Sequence, residues 1–325
     1  MLLDPEDAAA IASTPAVWRE MSVLHQRPFM VIDLRDGDHG SLEPLARLPV
    51  VVIGVGAPHD ACDVAVDGPD DLERVANAIR RNPQASVTLV QLLRVSRHLE
   101  PHDGLVAESL AYATLQSGTE FEGWLSSRGD RVRKDEPESP VLVARHGATL
   151  DIELNRPRLH NLYNAAMRDA LSEALSIALF DPTIELVQLS GRGRSFCAGG
   201  DLAEFGSVSD PASAHLIRTT ANTAPLFLAL ADRLRVDVHG AAVGAGCELA
   251  AFAGHVTATD DARFRLPEVS MGLVPGAGGT VSIPRRIGRH RAAWLMLSGD
   301  AIDAPTALAW GLVDEVVRSE PSDER

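Results

Sequence analysis

Two periodicities divide this chain. Before residue 70 the apolar positions come as short β-branched runs. Phe29–Leu34 (FMVIDL) and Leu48–Val55 (LPVVVIGV) are bounded by Asp and Gly or by Pro and Gly, and read as strands. From Asp70 the spacing changes to three and four. Leu72, Val75, Ala76 and Ile79 fall on one helical face behind an acidic start, and Pro83 closes that helix. Helix-like runs follow over 84–97 and 104–116, then a segment 118–133 whose apolar residues are Phe121, Trp124 and Leu125. The stretch RVRKDEPESP at 131–140 is charged and carries Pro137 and Pro140. It reads as a linker between an N-terminal region, 1–135, and a second unit, 141–317, with a tail at 318–325.

In the second unit, Val141–Ala144 and Thr149–Leu154 predict a hairpin around His146-Gly147. Asn164 is placed to cap a helix that buries Met167, Leu171, Ala174, Leu175 and Ala178. Pro182 precedes a strand, Ile184–Leu189, which runs into the glycine-rich stretch 191–200. Strand, glycine loop and helix alternate from there on, so the fold class is α/β. The stretch Val238–Leu249, VHGAAVGAGCEL, is the most informative. Gly240, Gly244 and Gly246 let a ligand approach the backbone closely, and the helix start behind them leaves N–H groups unpaired. Glu248 stands beside those donors, an arrangement suited to chemistry next to a polarised carbonyl. Two further stretches join it: FCAGGDL at 196–202 and LPEVSMGLVPGAGGT at 266–280. By contrast, Gly54-Val55-Gly56 lacks the third glycine of a dinucleotide fingerprint, because His59 stands there.

Composition narrows the class. The 325 residues are 45% apolar and 23% charged, as in globular proteins, and the net charge is −15. That charge argues against a nucleic-acid or anionic-membrane partner, though a few local arginines suffice for a phosphate-bearing ligand. Cys62, Cys197 and Cys247 show no metal-ligand spacing, and an odd count points to a reducing cytoplasm. No stretch approaches the roughly 18 apolar residues that span a bilayer. The expectation is a soluble cytoplasmic protein with no metal and no cofactor-binding residues.

These motifs, in order, resemble the crotonase superfamily, which includes the enoyl-CoA hydratases and isomerases. The resemblance covers about Val141–Val317. It rests on LNRPRLHN at 154–161, GRGRSFCAGGDL at 191–202, VHGAAVGAGCELA at 238–250, RFRLPEVSMGLVPGAGGT at 263–280 and LSGDAIDAPTALAWGLVDEVV at 297–317. It implies a crotonase-like core of repeated β-β-α units in a spiral, preceded here by a mixed, largely helical region. It also implies an oxyanion hole made by the N–H groups of Gly200 and Ala245, the latter a position where many relatives have Gly. Glu248 and Glu268 match the two glutamates of the hydratases. Glu268 is then the proton donor to the α carbon and Glu248 the residue that positions water. Ala198, Asp201, Leu202, Gly244, Pro275 and Gly276 are expected along the substrate, and Arg158 near the CoA phosphates or on the solvated surface. Asp201 caps the next turn or also contacts substrate. Cys197 and Cys247 read as buried fillers, and His239 and His255 as packing or hydrogen-bonding residues.

The implied activity is hydration of a 2-enoyl-CoA to the 3-hydroxyacyl-CoA, with CoA as part of the substrate. A double-bond isomerase or dehydratase, or an acyl-CoA-binding regulatory protein with little turnover, stays open as an alternative. Relatives assemble as trimers or hexamers, so a homo-oligomer is expected. Two departures stand out. Val281-Ser282-Ile283 replaces the usual Gln-Arg-Leu, and the chain stops soon after Val317, where relatives continue into closing helices. Residues 62–94 and 99–128, with a Gly-Leu-x-x-Glu start at Gly104–Glu108, resemble those closing helices. A permutation, a duplication or an unrelated helical domain each accounts for this.

Overall fold

The computed structural model describes residues 2–35, 41–129 and 139–319. Most of the linker at 131–140 and of the tail at 318–325 therefore lies outside the described residues. The N-terminal region opens with β1 (Leu2–Leu3) and α1 (Pro5–Ala12), followed by β2 (Phe29–Leu34), β3 (Val51–Gly56) and β4 (Val64–Val66). These strands form one sheet in the order β1-β2-β3-β4, all parallel. Five consecutive buried residues along β3 are what a central parallel strand, covered on both faces, requires. Gly54 lies in that strand, where an added Cβ would come within 2.8 Å of Leu34 Cδ1 and 3.0 Å of Cys62 Sγ. The Gly-x-Gly run thus serves packing.

Four helices follow: α2 (Pro69–Arg81), α3 (Pro83–Ser96), α4 (Pro101–Gln116) and α5 (Thr119–Ser126). Pro83 opens α3 at its first position, where the missing N–H costs nothing, as well as ending α2. The apolar residues of the segment 118–133, Phe121, Trp124 and Leu125, all lie on α5. Its last turn is closed by Ser127, whose N–H bonds Gly123 and Trp124.

The second unit starts with the expected hairpin, β5 (Val141–His146) and β6 (Thr149–Leu154), antiparallel from Val141↔Leu154 to His146↔Thr149. Then come α6 (Ala165–Phe180) and β7 (Leu186–Gly191). Asn164 caps α6 by accepting from Met167 N at 2.8 Å. β7 begins two residues later than its apolar pattern indicated. Ile184 is buried in the turn before it, and Glu185 N and Leu186 N both donate to Ala148 O.

The remaining elements are α7 (Pro211–Thr220), α8 (Ala224–Leu230), β8 (Leu234–Val238), β9 (Ala241–Val243), α9 (Ala245–Ala250), β10 (His255–Thr259) and β11 (Arg263–Arg265). After them come α10 (Gly279–Ile287), α11 (Arg289–Ser298), β12 (Ile302–Asp303), α12 (Ala304–Trp310) and β13 (Glu315–Val317).

From β8 to β11 successive strands alternate between two sheets. A six-stranded sheet runs β13-β10-β8-β7-β6-β5, and a three-stranded one runs β12-β11-β9. β8 and β10 lie side by side in the first, β9 and β11 in the second, with α9 between the two pairs. Cys197 bridges Ala242, which in turn pairs Phe264, so three successive turns of the chain stack in register. This is the β-β-α spiral of the crotonase fold.

A continuous apolar core runs from Val31 to Val313, on both sides of the linker. Helices α2 and α3 pack on α11, and α4 packs on α7 and α10. One buried carboxylate fixes the join. Asp63, 1% exposed, accepts from Val52 N at 2.8 Å and pairs with Arg94 at 2.5 Å and Arg289 at 3.4 Å.

Candidate active site

Stacking the spiral turns brings the three glycine stretches to one place. Each stretch leaves the second sheet at the same level: Cys197 leads to Gly199–Gly200, Ala242 to Gly244–Ala245, and Phe264 to Glu268. The register at Gly200 is explicit. Tyr163 bridges Gly200, taking a bond from Asp201 N at 2.8 Å and giving one to Gly199 O at 2.8 Å. Extended backbone alternates its donors, so the N–H of Gly200 itself points to the opposite side. Ala245 is the first residue of α9, where a helix supplies no partner for the N–H. Gly244 before it has φ 48°, and a Cβ there would sit 2.5 Å from Glu268 Oε1. Only glycine fits both that backbone and that space.

Glu248 and Glu268 come together, 2% and 8% exposed. Glu248 Oε2 accepts from Ala277 N at 2.7 Å and Gly279 N at 2.8 Å, so the PGAGG turn grips it. Glu268 opens a 3₁₀ turn, Glu268–Met271, and its Oε2 is buried with no hydrogen-bond partner. A third buried carboxyl comes from the N-terminal region. Glu108 on α4, 2% exposed, accepts from Gly278 N at 2.7 Å, Thr280 N at 2.9 Å and Thr280 Oγ1 at 2.7 Å. Four consecutive N–H groups, 277 to 280, are thus divided between two glutamates on opposite sides of one turn.

Burial is the main reason that all three carboxyls hold protons more tightly than usual. Glu108 and Glu268 are each pushed up to about 7. Glu248 is raised well above 4.5, by burial first and then by the charges of Glu268 and Glu108. Carboxyls in such a cluster share their protons. Burial also pushes Cys197 up to about 11 and Cys247 above its ordinary value, so both thiols stay neutral. Gly246 explains their packing, since a Cβ there would lie 2.4 Å from Cys197 O.

The remaining expected residues divide. Asp201 caps the following 3₁₀ turn, Leu202–Glu204, through Ala203 N at 3.1 Å, and pairs with buried Arg156 at 3.2 Å. Ala198, Leu202 and Gly276 are half-buried and Pro275 is buried. Arg158 lies exposed on the short turn Pro157–Leu159. The basic residue built into the site is its neighbour Arg156, which sequence reasoning passed over. His239 binds Gly193 O at 2.9 Å, and His255 lies 3.8 Å from Glu315. Val281, at a departure from the family pattern, is buried, and a Cβ at Gly104 of α4 would approach its Cγ2 to 3.0 Å.

Tyr112 and Arg218 were not singled out from the sequence, and Glu108 was noted only as part of the Gly-Leu-x-x-Glu start. Tyr112 lies one helical turn beyond Glu108, and its ring fills the space over Gly276, where a Cβ would come within 2.6 Å. Burial and the charges of both glutamates push its hydroxyl up to about 12, against the pull of Arg218. A cavity of about 200 Å³ lies alongside, lined by Tyr112, Tyr163, Asp201, Phe205 and Arg218 among others. A larger cavity, about 720 Å³, lies elsewhere, beside Phe29 and Arg80, and contains none of these groups.

Comparison with known proteins agrees with this architecture. A family model described as enoyl-CoA hydratase/isomerase matches residues 145–323, more than half of the chain. The chain belongs to the enoyl-CoA hydratase/isomerase family of enzymes. It is 38% identical over 186 residues to 2,3-dehydroadipyl-CoA hydratase of Escherichia coli strain K12, covering 56% of this chain and 71% of that protein. It is 34% identical over 168 residues to crotonyl-CoA hydratase of Syntrophomonas wolfei, covering 51% and 65%. Among solved structures it resembles an enoyl-CoA hydratase/carnithine racemase of Magnetospirillum magneticum, with TM-score 0.52 and 27% identity over 56% of this chain and 69% of that one. A protein of Thermobifida fusca YX described as an enoyl-CoA hydratase, solved with acetoacetyl-CoA, gives 0.51 and 26% over 56% and 74%. Among the described residues no helix is long and apolar enough to cross a membrane.

Proposed function

We propose that this chain hydrates a 2-enoyl-CoA thioester to the 3-hydroxyacyl-CoA. The observation that carries the reading is the meeting of Glu248 and Glu268, both buried, with the strand exits at Gly200 and Ala245. The N–H groups of Gly200 and Ala245 receive the thioester oxygen and stabilise the negative charge that grows there. Such a donor is worth about 3 kcal/mol. Glu248, fixed by Ala277 and Gly279, orients water toward C3 and takes its proton. The water oxygen bonds C3, the double-bond electrons move into the thioester, and C2 then takes a proton from Glu268. A carboxyl raised to about 7 with an uncommitted oxygen is suited to that donation near neutral pH.

Ala198, Leu202, Gly244, Pro275 and Gly276 line the acyl path in this reading. Asp201 acts through its cap and its pair with Arg156. Arg158 meets the CoA phosphates from the surface. No resident cofactor is required, because CoA belongs to the substrate. Helices α2–α5 take the place of the family's closing helices, a reading supported by the bonds of Glu108 to the PGAGG turn. Free buried thiols at Cys62, Cys197 and Cys247 fit a cytoplasmic home, and family membership favours a homo-oligomer.

The test is turnover of short trans-2-enoyl-CoAs, followed by loss of the conjugated-thioester absorbance with product identification. Glu248→Gln and Glu268→Gln should each lower kcat by about 10²–10⁴. A shifted double bond, lost mainly in one variant, would make the protein an isomerase instead. Tight binding without turnover would point to a regulatory role.

A further inference from the structure

The wall of the cavity beside Asp201 carries a guanidinium that the two-glutamate chemistry leaves unused. Arg218, in the last turns of α7, stacks its guanidinium 3.8 Å from the centroid of the Tyr112 ring. One terminal nitrogen donates to Gln116 Oε1 at 2.6 Å. The other is buried and meets no acceptor beyond the Tyr112 side chain it stacks on. Among the described residues Arg218 forms no ion pair with a carboxylate, unlike Arg156, Arg168 and Arg94.

The carboxylates that share this wall are already engaged. Asp201 holds Arg156 and caps its own turn. Glu204 accepts from Ala165 N at 2.9 Å, at the start of α6. The rest of the lining sets Phe121, Tyr163, Phe205, Val208, Ala214 and Ile217 beside Ser207 and Arg168. A slot with methylene-compatible walls and one cation that lacks a carboxylate partner, Arg168 being paired with Asp169, fits an acyl tail that ends in an anion. A buried nitrogen without a carboxylate on a half-buried guanidinium is costly to keep, and the planar fork matches a carboxylate in two-pronged geometry.

We infer that the acyl group carries a carboxylate at its far end, and that Arg218, steadied by Tyr112 and Gln116, recognises it. The substrate class is then the CoA monothioester of a short unsaturated dicarboxylic acid. The inference rests on the hydratase reading of the adjoining glutamates and deepens it. It assigns Arg218 to specificity and gives it no part in bond making.

The experiment compares kcat/KM for 2,3-dehydroadipyl-CoA and trans-2-hexenoyl-CoA, which differ at the far end of a six-carbon chain. It uses wild type, Arg218→Gln and Arg218→Lys. Wild type should prefer the carboxylated substrate at least about a hundredfold, since a site built around a polar group rejects the analogue lacking it. That ratio should collapse toward one in Arg218→Gln and stay intermediate in Arg218→Lys. Equal kcat/KM for the two substrates in wild type overturns the inference, as does an unchanged ratio in Arg218→Gln.

Calorimetric affinities of the unreactive adipoyl-CoA and hexanoyl-CoA for wild type give a readout independent of turnover and of any folding defect. Tighter adipoyl-CoA binding with neither enoyl-CoA hydrated would sink the hydratase reading and uphold the role of Arg218. Hydration of both substrates with equal binding of the two saturated analogues would do the reverse.

Discussion

Replacing Glu108 by glutamine should cost most stability in acid and least in alkali, the reverse of an ordinary ion-paired carboxylate. The carboxyl accepts from Gly278 N, Thr280 N and Thr280 Oγ1. Glutamine keeps one carbonyl oxygen, which can serve both Thr280 donors, and turns its amide toward the Gly278 N–H. One buried donor is then unmatched, at about 1–3 kcal/mol. Ionisation acts the other way. Burial raises the folded pKa from 4.5 to about 7, although the bonds from Thr280 and Gly278 pull it down.

A carboxyl whose folded pKa exceeds its unfolded value binds more protons in the native state. Its stabilising contribution is complete below pH 4.5 and is lost as pH rises through about 7. A shift of about 2.5 units at about 1.4 kcal/mol each amounts to about 3 kcal/mol by pH 8. Glutamine does not titrate, and loss of the Glu108 charge lets Glu248 and Glu268 ionise more easily in the fold, which acts in the same direction at high pH. The cost of Glu108→Gln is therefore about 1–3 kcal/mol near pH 5 and about zero, or of opposite sign, at pH 8. Urea unfolding followed by circular dichroism at pH 5, 6.5 and 8 measures it. A cost that grows with pH would show that the donors keep the carboxyl ionised, and would refute this reasoning.

Three further outcomes are expected. Gly244→Ala places a methyl 2.5 Å from Glu268 Oε1 at φ 48°, so kcat should fall by about a hundredfold or more; an unchanged kcat would remove Glu268 from the chemistry. Asp63→Asn breaks a buried carboxylate shared by Arg94 and Arg289 and should lower unfolding free energy by about 3–5 kcal/mol. A loss under about 1 kcal/mol in urea unfolding would show that the Asp63 pairs add little to the join between the two halves. The third is the pH profile: kcat/KM for hydration should decline above about pH 7, as Glu268 loses its proton. That limb should be missing from the residual activity of Glu268→Gln, and a profile identical to wild type would assign the proton to another group.

What was legible in the sequence followed the range of the interactions. The β5/β6 hairpin and the Asn164 cap rest on neighbours within a few residues, and both formed as the pattern indicated. The two-residue strands β1 and β12 carry no pattern of their own and exist only by pairing with Val31–Ile32 and Arg263–Phe264. Glu248 and Glu268 were legible because each lies inside a long glycine-marked motif. Glu108 lies 170 residues from the N–H it holds, yet a signal was present: a carboxylate among Leu105, Ser109 and Ala113 on a buried helical face. A charge on such a face demands a partner. Arg218 gave no such signal, because its partners Tyr112 and Gln116 approach it only after α4 has packed on α7.

The most direct measurement is the fate of water itself. Incubating the protein with crotonyl-CoA in oxygen-18 water, and separately in deuterium oxide, and reading the product by mass spectrometry follows both new bonds. Hydration by Glu248 and Glu268 predicts one oxygen-18 at C3 and one deuterium at C2, with both labels lost in Glu248→Gln and Glu268→Gln. Deuterium entering without oxygen-18, or both labels persisting at wild-type rate in either variant, would contradict the two-glutamate account.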